Sequence, residues 1–230
     1  MSGGNPIYAK GTGSSTQLTA TVNGTVGNDA VAWTSGNTNI AKVSGGKVTG
    51  VGAGTVTITA TSNGVSTSKS IQVKEPTIKL DRKTANIYPP ATKTVTFTVT
   101  VNGVQGNRGV TWTSGNTKVA TVSNGKVTAV GKGTATITAK ANGKLAKAKV
   151  TVKDPYANVS PTSGTIKVGK TLQLTTNYAP ASTGTPSYSS SNKKVATVDS
   201  KGVVKGVKAG TATITVKVNG VTAKAKITVK

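Results

Sequence analysis

The sequence predicts an all-β protein, built as three small Greek-key β-sandwiches in tandem and forming an elongated rod. Three observations predict it: a segment copied at a fixed interval, apolar residues that alternate with polar ones inside each copy, and a composition rich in Thr, Val, Gly, Ser, Ala and Lys. β-Branched residues far outnumber good helix formers in that composition. A chain of 230 residues with 34% hydrophobic content suits several small cores better than one large one.

The copy is read directly. Trp33 to Thr59 and Trp112 to Thr138 agree at 20 of 27 positions, at a constant offset of 79 residues. A third copy, "YSSSNKKVATVDSKGVVKGVKAGTATIT" from Tyr188, replaces Trp by Tyr and adds one residue in the turn. Such self-similarity marks an internal duplication. An acid followed by Pro recurs at Glu75-Pro76 and Asp154-Pro155, which divides the chain into units 1–75, 76–154 and 155–230. Proline fixes φ and holds its predecessor extended, so the two links are expected to be short and stiff. At about 35 Å per sandwich the rod would reach roughly 100 Å.

Taken in chain order, each element has its own signal. In the third unit Ala157 to Ser160 predicts a first strand, ahead of a strand through Leu172 and Leu174. The first unit offers only "MSGGNPIYAKGTGSSTQL", where Ile7 and Tyr8 suit a shortened strand at most. Its sheet edge is then either frayed or open to strand addition by another subunit. The aromatic residue of each unit, Trp33, Trp112 or Tyr188, is predicted to fill the core. Val119, Val122, Val127 and Val130 then punctuate one segment, while Ala135, Ile137 and Ala139 alternate with Thr134, Thr136 and Thr138, the period of half-buried strands. Gly54, Gly133 and Gly210 precede the last hairpin, where a turn closed to other residues is expected.

The last hairpin is the sharpest prediction. Asn63-Gly64, Asn142-Gly143 and Asn219-Gly220 each sit between two alternating runs, the signal of a type I′ turn. A two-residue turn pairs Ala139 with Ala146, Ile137 with Ala148 and Ala135 with Val150; in the third unit it pairs Val216 with Ala223, Ile214 with Ala225 and Ala212 with Ile227. The first unit departs, because Lys69 falls opposite Ile58, where a bulge or a lysine stretched to the sheet's rim is expected.

The stretch "VTWTSGNTKVATVSNGKVTAVGKGTATITA" resembles the bacterial immunoglobulin-like domain of group 2, with its aromatic start, its "VATV", its Gly turn and its "GTATIT". All three units carry the pattern. The resemblance implies an immunoglobulin-like fold. It also implies a spacer or ligand-contact role, as in virion proteins of tailed bacteriophages and adhesins of the intimin and invasin type, without catalysis.

Composition narrows the chemistry. The chain has no His, no Cys and five carboxylates: Asp29, Glu75, Asp81, Asp154 and Asp199. Thiolate, imidazole and zinc chemistry are excluded by those absences, and the acids are too scattered for a paired-carboxylate site or a junction calcium. No enzyme, catalytic residue, metal or cofactor is expected; the acids are expected to pair with lysines or cap turns. Net charge is +24. Residues 1–75 hold five Lys and Arg, 76–154 thirteen and 155–230 eleven. In the last hairpins Lys140, Lys147, Lys149 and Lys153, and then Lys217, Lys224, Lys226 and Lys230, share an outer strand face. That face is either a solubilising surface or a contact for an anionic polymer such as cell-surface polysaccharide. Nucleic acid is disfavoured by 3% aromatic content and only two arginines, Arg82 and Arg108.

No stretch approaches eighteen apolar residues, and "MSGGNPIYAK" lacks the pattern of a secretory leader, so neither membrane insertion nor export is expected. The reading is a virion protein made in the host cytoplasm, a capsid decoration, head fibre or tail-associated element. Residues 1–75 would attach to other virion proteins, the basic units would point outward, and homo-oligomers are compatible. The alternative is a fragment of an exported adhesin or cell-wall-binding protein at the cell surface.

Overall fold

In the computed structural model, which describes residues 1, 3, 6–11, 13–22, 25–27, 30–181 and 183–230, all regular structure is strand. Among the described residues no sheet crosses from one unit to the next. The accessible surface is 12775 Å², whereas a compact monomer of this mass would expose roughly 9,600 Å². That excess is the surface of several small bodies in a row, each with its own core.

Unit 2 shows the plan. Its four-stranded sheet orders Thr84–Ile87, Lys144–Val152, Gly133–Ala141 and Thr111–Ser114. The opposing layer is interrupted: Thr94–Thr96 pairs with Lys126–Ala129, which pairs with Ala120–Ser123. Beyond Phe97 and Thr98 the same run continues as Val99–Val101, with Ile78–Leu80 on one side and Val104–Gln105 on the other. The opening of the unit therefore serves both layers, as Ile78–Leu80 in one and then as Thr84–Ile87, parallel to the last strand, in the other. Unit 3 does the same with Tyr156–Ser160 and Ser163–Ile166, and the break between them holds Pro161, which cannot donate to a ladder. Sequence alone predicted the first of these strands but not the switch to the parallel edge.

The hairpins are type I′ in all three units: φ is 51° and 78° at Asn63 and Gly64, 52° and 77° at Asn142 and Gly143, and 52° and 80° at Asn219 and Gly220. Every predicted pair is present, among them Ile137 with Ala148 and Ile214 with Ala225. Ile58 does face Lys69, and the ladder runs unbroken from Gly54↔Val73 to Ser62↔Val65, so there is no bulge. The lysine is half-buried and its Nζ donates to the Gly3 carbonyl. Gly133 has φ 140°, and a Cβ there would lie 2.9 Å from Val119 Cγ2; Gly54 and Gly210 repeat the arrangement.

The aromatic residues sit differently from the prediction. Trp33, Trp112 and Tyr188 are only partly buried and pack against the cores from the side. The centre belongs to Leu18, Phe97 and Leu174, at 0%, 1% and 1% exposure, with Ile58, Ile137 and Ile214. For two of the three the polar tip accounts for the offset: Trp112 Nε1 donates to Asn107 Oδ1 at 3.0 Å, and Tyr188 Oη lies 2.9 Å from Thr176 Oγ1, whereas Trp33 Nε1 is buried with no hydrogen-bond partner among the described residues. A ring holding such a bond stays at the rim. Trp112 and Leu80 also join the two core clusters of unit 2.

Gly125 lies beneath Trp112, at φ 83°; a Cβ there would stand 2.6 Å from the Phe97 carbonyl oxygen and 3.2 Å from the indole. Gly125→Ala is expected to destabilise unit 2 by about 1–3 kcal/mol, the usual cost of a non-glycine residue in a strained backbone region. Because the cores are separate, calorimetry should resolve more than one unfolding transition, and the substitution should lower only one of them.

Candidate functional surface

The residues that make the repeat recognisable are consumed inside the fold. Ser114 Oγ donates to the Ala120 carbonyl at 2.6 Å and accepts the Asn116 N–H at 3.3 Å, and Asn116 Oδ1 then accepts the Lys118 N–H at 3.1 Å. Ser35, Asn37 and Asn39 reproduce the three bonds in unit 1, and Asn192 with Ser190 and Lys194 reproduces two of them in unit 3. Serine and asparagine suit this work because their short side chains imitate a backbone turn. The motif fastens the aromatic strand to the next one.

The described acids are also engaged. Glu75 pairs with Lys144 at 2.8 Å, Asp154 pairs with Lys132, and Asp199 Oδ1 accepts the N–H groups of Lys201 and Val203. Asp81 pairs with Arg82 at 2.7 Å and accepts the Thr98 N–H at 3.0 Å. Partial burial alone would raise its carboxyl, but the Arg82 hydrogen bond, the Thr98 N–H and the guanidinium charge together hold it below the usual value. Asp29 lies outside the described residues.

The outer faces of the four-stranded sheets in units 2 and 3 are what remains. All eight lysines, Lys140, Lys147, Lys149, Lys153, Lys217, Lys224, Lys226 and Lys230, are exposed, and none enters an ion pair among the described residues. Hairpin parity puts them there. Lys149 stands between Thr136 and Thr84, Lys226 between Thr213 and Ser163, and Lys147 and Lys224 face Thr138 and Thr215. None of the strands in these two sheets contains an acid. Same-face neighbours along a strand lie about 7 Å apart and adjacent strands about 4.8 Å apart, so each face is a grid of hydroxyls and ammonium groups. Unit 1 keeps the hydroxyls and only one of the charges: Ser66, Ser68 and Ser70 lie opposite Thr61, Thr59 and Thr57, while Lys74 stands in the place of Lys153.

Where units 1 and 2 meet, the buried Asn102 accepts the Thr77 N–H at 2.9 Å and donates through Nδ2 to the Lys10 carbonyl at 2.9 Å. The neighbouring groove runs between Ala9, Lys10 and Pro76 on one side and the Asn142-Gly143 turn on the other. Asn102-Gly103 is a further positive-φ turn, and its Asn-Gly spacing between two apolar runs was the available sequence signal.

Comparison with known proteins agrees with this architecture. The family model for the bacterial Ig-like domain (group 2) matches residues 5–73, 77–152 and 156–229. An uncharacterized protein of Clostridium acetobutylicum is 34% identical over 150 residues, covering 62% of this chain and 15% of its own length. A 3-O-alpha-D-galactosyl-alpha-L-arabinofuranosidase of Bifidobacterium longum is 56% identical over 52 residues, 22% of this chain and 5% of the enzyme. The chain thus spans a small part of the curated relatives it matches. Among solved structures, an S-layer protein, rSbsC, aligns over 87% of this chain and 35% of its own at 23% identity and TM-score 0.38. Three N-terminal domains of the bacteriophage RB49 Highly Immunogenic Outer Capsid protein align over 98% and 95% at 11% identity and TM-score 0.42.

Copying unit 1's serines onto Lys147, Lys149, Lys224 and Lys226 should change stability by no more than about 0.5 kcal/mol per site, since each is exposed and unpaired; urea unfolding checks this. Asp81 contributes the opposite kind of effect. A depressed carboxyl stabilises the fold above its unfolded value near 3.8, and that stabilisation disappears as pH falls through the lower folded value. Asp81→Asn should therefore flatten the acid limb of a stability–pH curve for unit 2.

Proposed function

The chain belongs to the bacterial Ig-like domain (group 2) family, three units in tandem, and from that premise we propose that it is a non-enzymatic presenting rod on a bacteriophage particle, whose basic faces contact an anionic polymer of the host surface. The observation that carries the contact is the acid-free grid of threonine and lysine on units 2 and 3. The repeated polar motif and the described acids are spent on turns and ion pairs, which leaves these faces as the surface with chemistry to offer. A grid of mobile ammonium groups binds phosphate- or carboxylate-bearing polymers by summed charge, with little demand on sequence or shape. Unit 1, the least basic of the three, is the end that attaches to other virion proteins.

A second reading, a segment of an exported surface protein, is favoured by one observation: the matched stretches are 15% and 5% of the two curated relatives, so the unit recurs as a minor part of much larger chains.

The test is retention of the purified chain on phage particles, isolated cell walls and DNA at low and high salt. At 1 M salt the screening length is about 3 Å, so charge-driven retention on walls should disappear. Replacing the eight lysines by serine should abolish it at low salt; retention that survives the replacement rejects the basic faces as the contact. Deleting residues 1–75 should prevent incorporation into particles. Strong wall retention without any particle incorporation selects the exported protein instead.

A further inference from the structure

The two joints of the chain share one kind of link, an acid followed by Pro at Glu75-Pro76 and at Asp154-Pro155. Their surroundings differ. At the first joint, Asn102 is 5% exposed and donates through Nδ2 to the Lys10 carbonyl of unit 1 at 2.9 Å, while its Oδ1 accepts the Thr77 N–H of its own unit. Glu75 pairs with Lys144, the residue that follows the Asn142-Gly143 turn. The Asn142 carboxamide lies against Gly11, at φ 81°, where a Cβ would run into it. Pro76 is buried beside these contacts.

Strand register identifies the counterpart of each partner at the second joint. Ile7 pairs with Val73 as Ile87 pairs with Val152, so Ile7-Tyr8-Ala9-Lys10 corresponds to Ile87-Tyr88-Pro89-Pro90, and Pro90 stands in the place of Lys10. Asn102 bonds the residue after Pro76, whereas Ala179, which has no carboxamide, pairs with the residue after Pro155. Val221 follows the Asn219-Gly220 turn in the place of Lys144, and Asp154 pairs with Lys132 of unit 2 instead. Asn219 is turned into its own unit: its Nδ2 donates to the Pro180 carbonyl at 2.7 Å, and its Oδ1 accepts from Thr183 Oγ1 at 3.3 Å. Pro155 is only half-buried, and Val130 is 60% exposed where its counterpart Val51 is 41% exposed.

We propose that the chain has one fixed joint and one free joint: units 1 and 2 move as a single stiff arm, and unit 3 swings on the Asp154-Pro155 link. Neighbouring domains move relative to each other unless their interface holds them. The first joint is held by a buried carboxamide, which is costly to leave unbonded, together with an ion pair and close packing at a glycine. At the second, each of those partners is replaced by a residue that is apolar or engaged within its own unit. The lysine faces of units 2 and 3 therefore stand on opposite sides of the free joint, and the angle between them is adjustable. The inference rests on contacts at the joints and is independent of the virion and polymer readings.

The experiment uses the full chain, which has no Cys, so that introduced cysteines can be spin-labelled in pairs. Ser68→Cys with Lys147→Cys spans the first joint, and Lys147→Cys with Lys224→Cys spans the second; the three residues are exposed at matching places in successive hairpins. Pulsed dipolar spectroscopy should give a narrow distance distribution across the first joint and one about twice as wide, or wider, across the second. Asn102→Asp keeps the acceptor for Thr77 and removes the donor to Lys10, and it should widen the first distribution. Lys144→Glu, an exposed change that sets two acids together, should widen it as well, and the exchanged pair Glu75→Lys with Lys144→Glu should narrow it again. Equal widths across the two joints, or a first distribution that neither Asn102→Asp nor Lys144→Glu broadens, overturns the proposal.

Discussion

A two-residue turn in which both residues have positive φ governs this molecule. At Asn142-Gly143 it fixes which residue of Gly133–Ala141 faces which residue of Lys144–Val152, and hence which side of the sheet each occupies. Since side chains alternate with a period of two, a slip of one residue would move Lys147 and Lys149 into the core and Ala148 and Val150 into solvent. Asparagine and glycine make the turn inexpensive, and the same pair appears in all three units. The core of Ala135, Ile137, Ala148 and Val150 and the outer grid of threonine and lysine are thus two results of one choice of register.

That constraint accounts for the repetition of a segment without reactive groups. Ser114 and Asn116 lock the chain between the aromatic strand and the next one, Gly125 lets it pass beneath an indole, and Gly133 turns it into the hairpin. Each role is geometric and admits few residue types, so the copies agree closely there. The outer faces bear no such constraint, and there the units differ most in charge: serine in the first, lysine in the second and third.

Local rules therefore made the hairpins legible in the sequence, down to individual partners and to the odd placement of Lys69. What escaped depends on contacts between distant parts of the chain. The aromatic residues were expected at the centre because of their size, but the centre belongs to Phe97, Leu18 and Leu174, and the N–H of Trp112 and the O–H of Tyr188 hold those two rings to the rim through Asn107 and Thr176. Phe97 alternates with threonine in step with Val95, Val99 and Val101, which marks an inward position, but nothing local ranks it above those valines as the centre. The split opening strand escaped for a related reason: Ile78–Leu80 and Thr84–Ile87 are both short, and only the assembled sandwich shows that they serve different layers. The lysine grid was visible as parity alone; its freedom from neighbouring acids needed the sheet order.

The short strand lying parallel to the last strand has a mechanical meaning. In unit 2, Thr84–Ile87 runs alongside Lys149 to Val152, and in unit 3 Ser163–Ile166 runs alongside Lys226 to Val229, so the second part of each opening run and the last strand of the unit are adjacent and parallel. Tension along the chain pulls such segments in opposite directions and loads their cross-links in shear, all at once, instead of peeling them one by one. Among the described residues unit 1 has two residue pairs in that position, Ile7 with Val73 and Tyr8 with Lys74. Under load it is the weak member of the series, and it would lengthen first while the two charged units kept their shape.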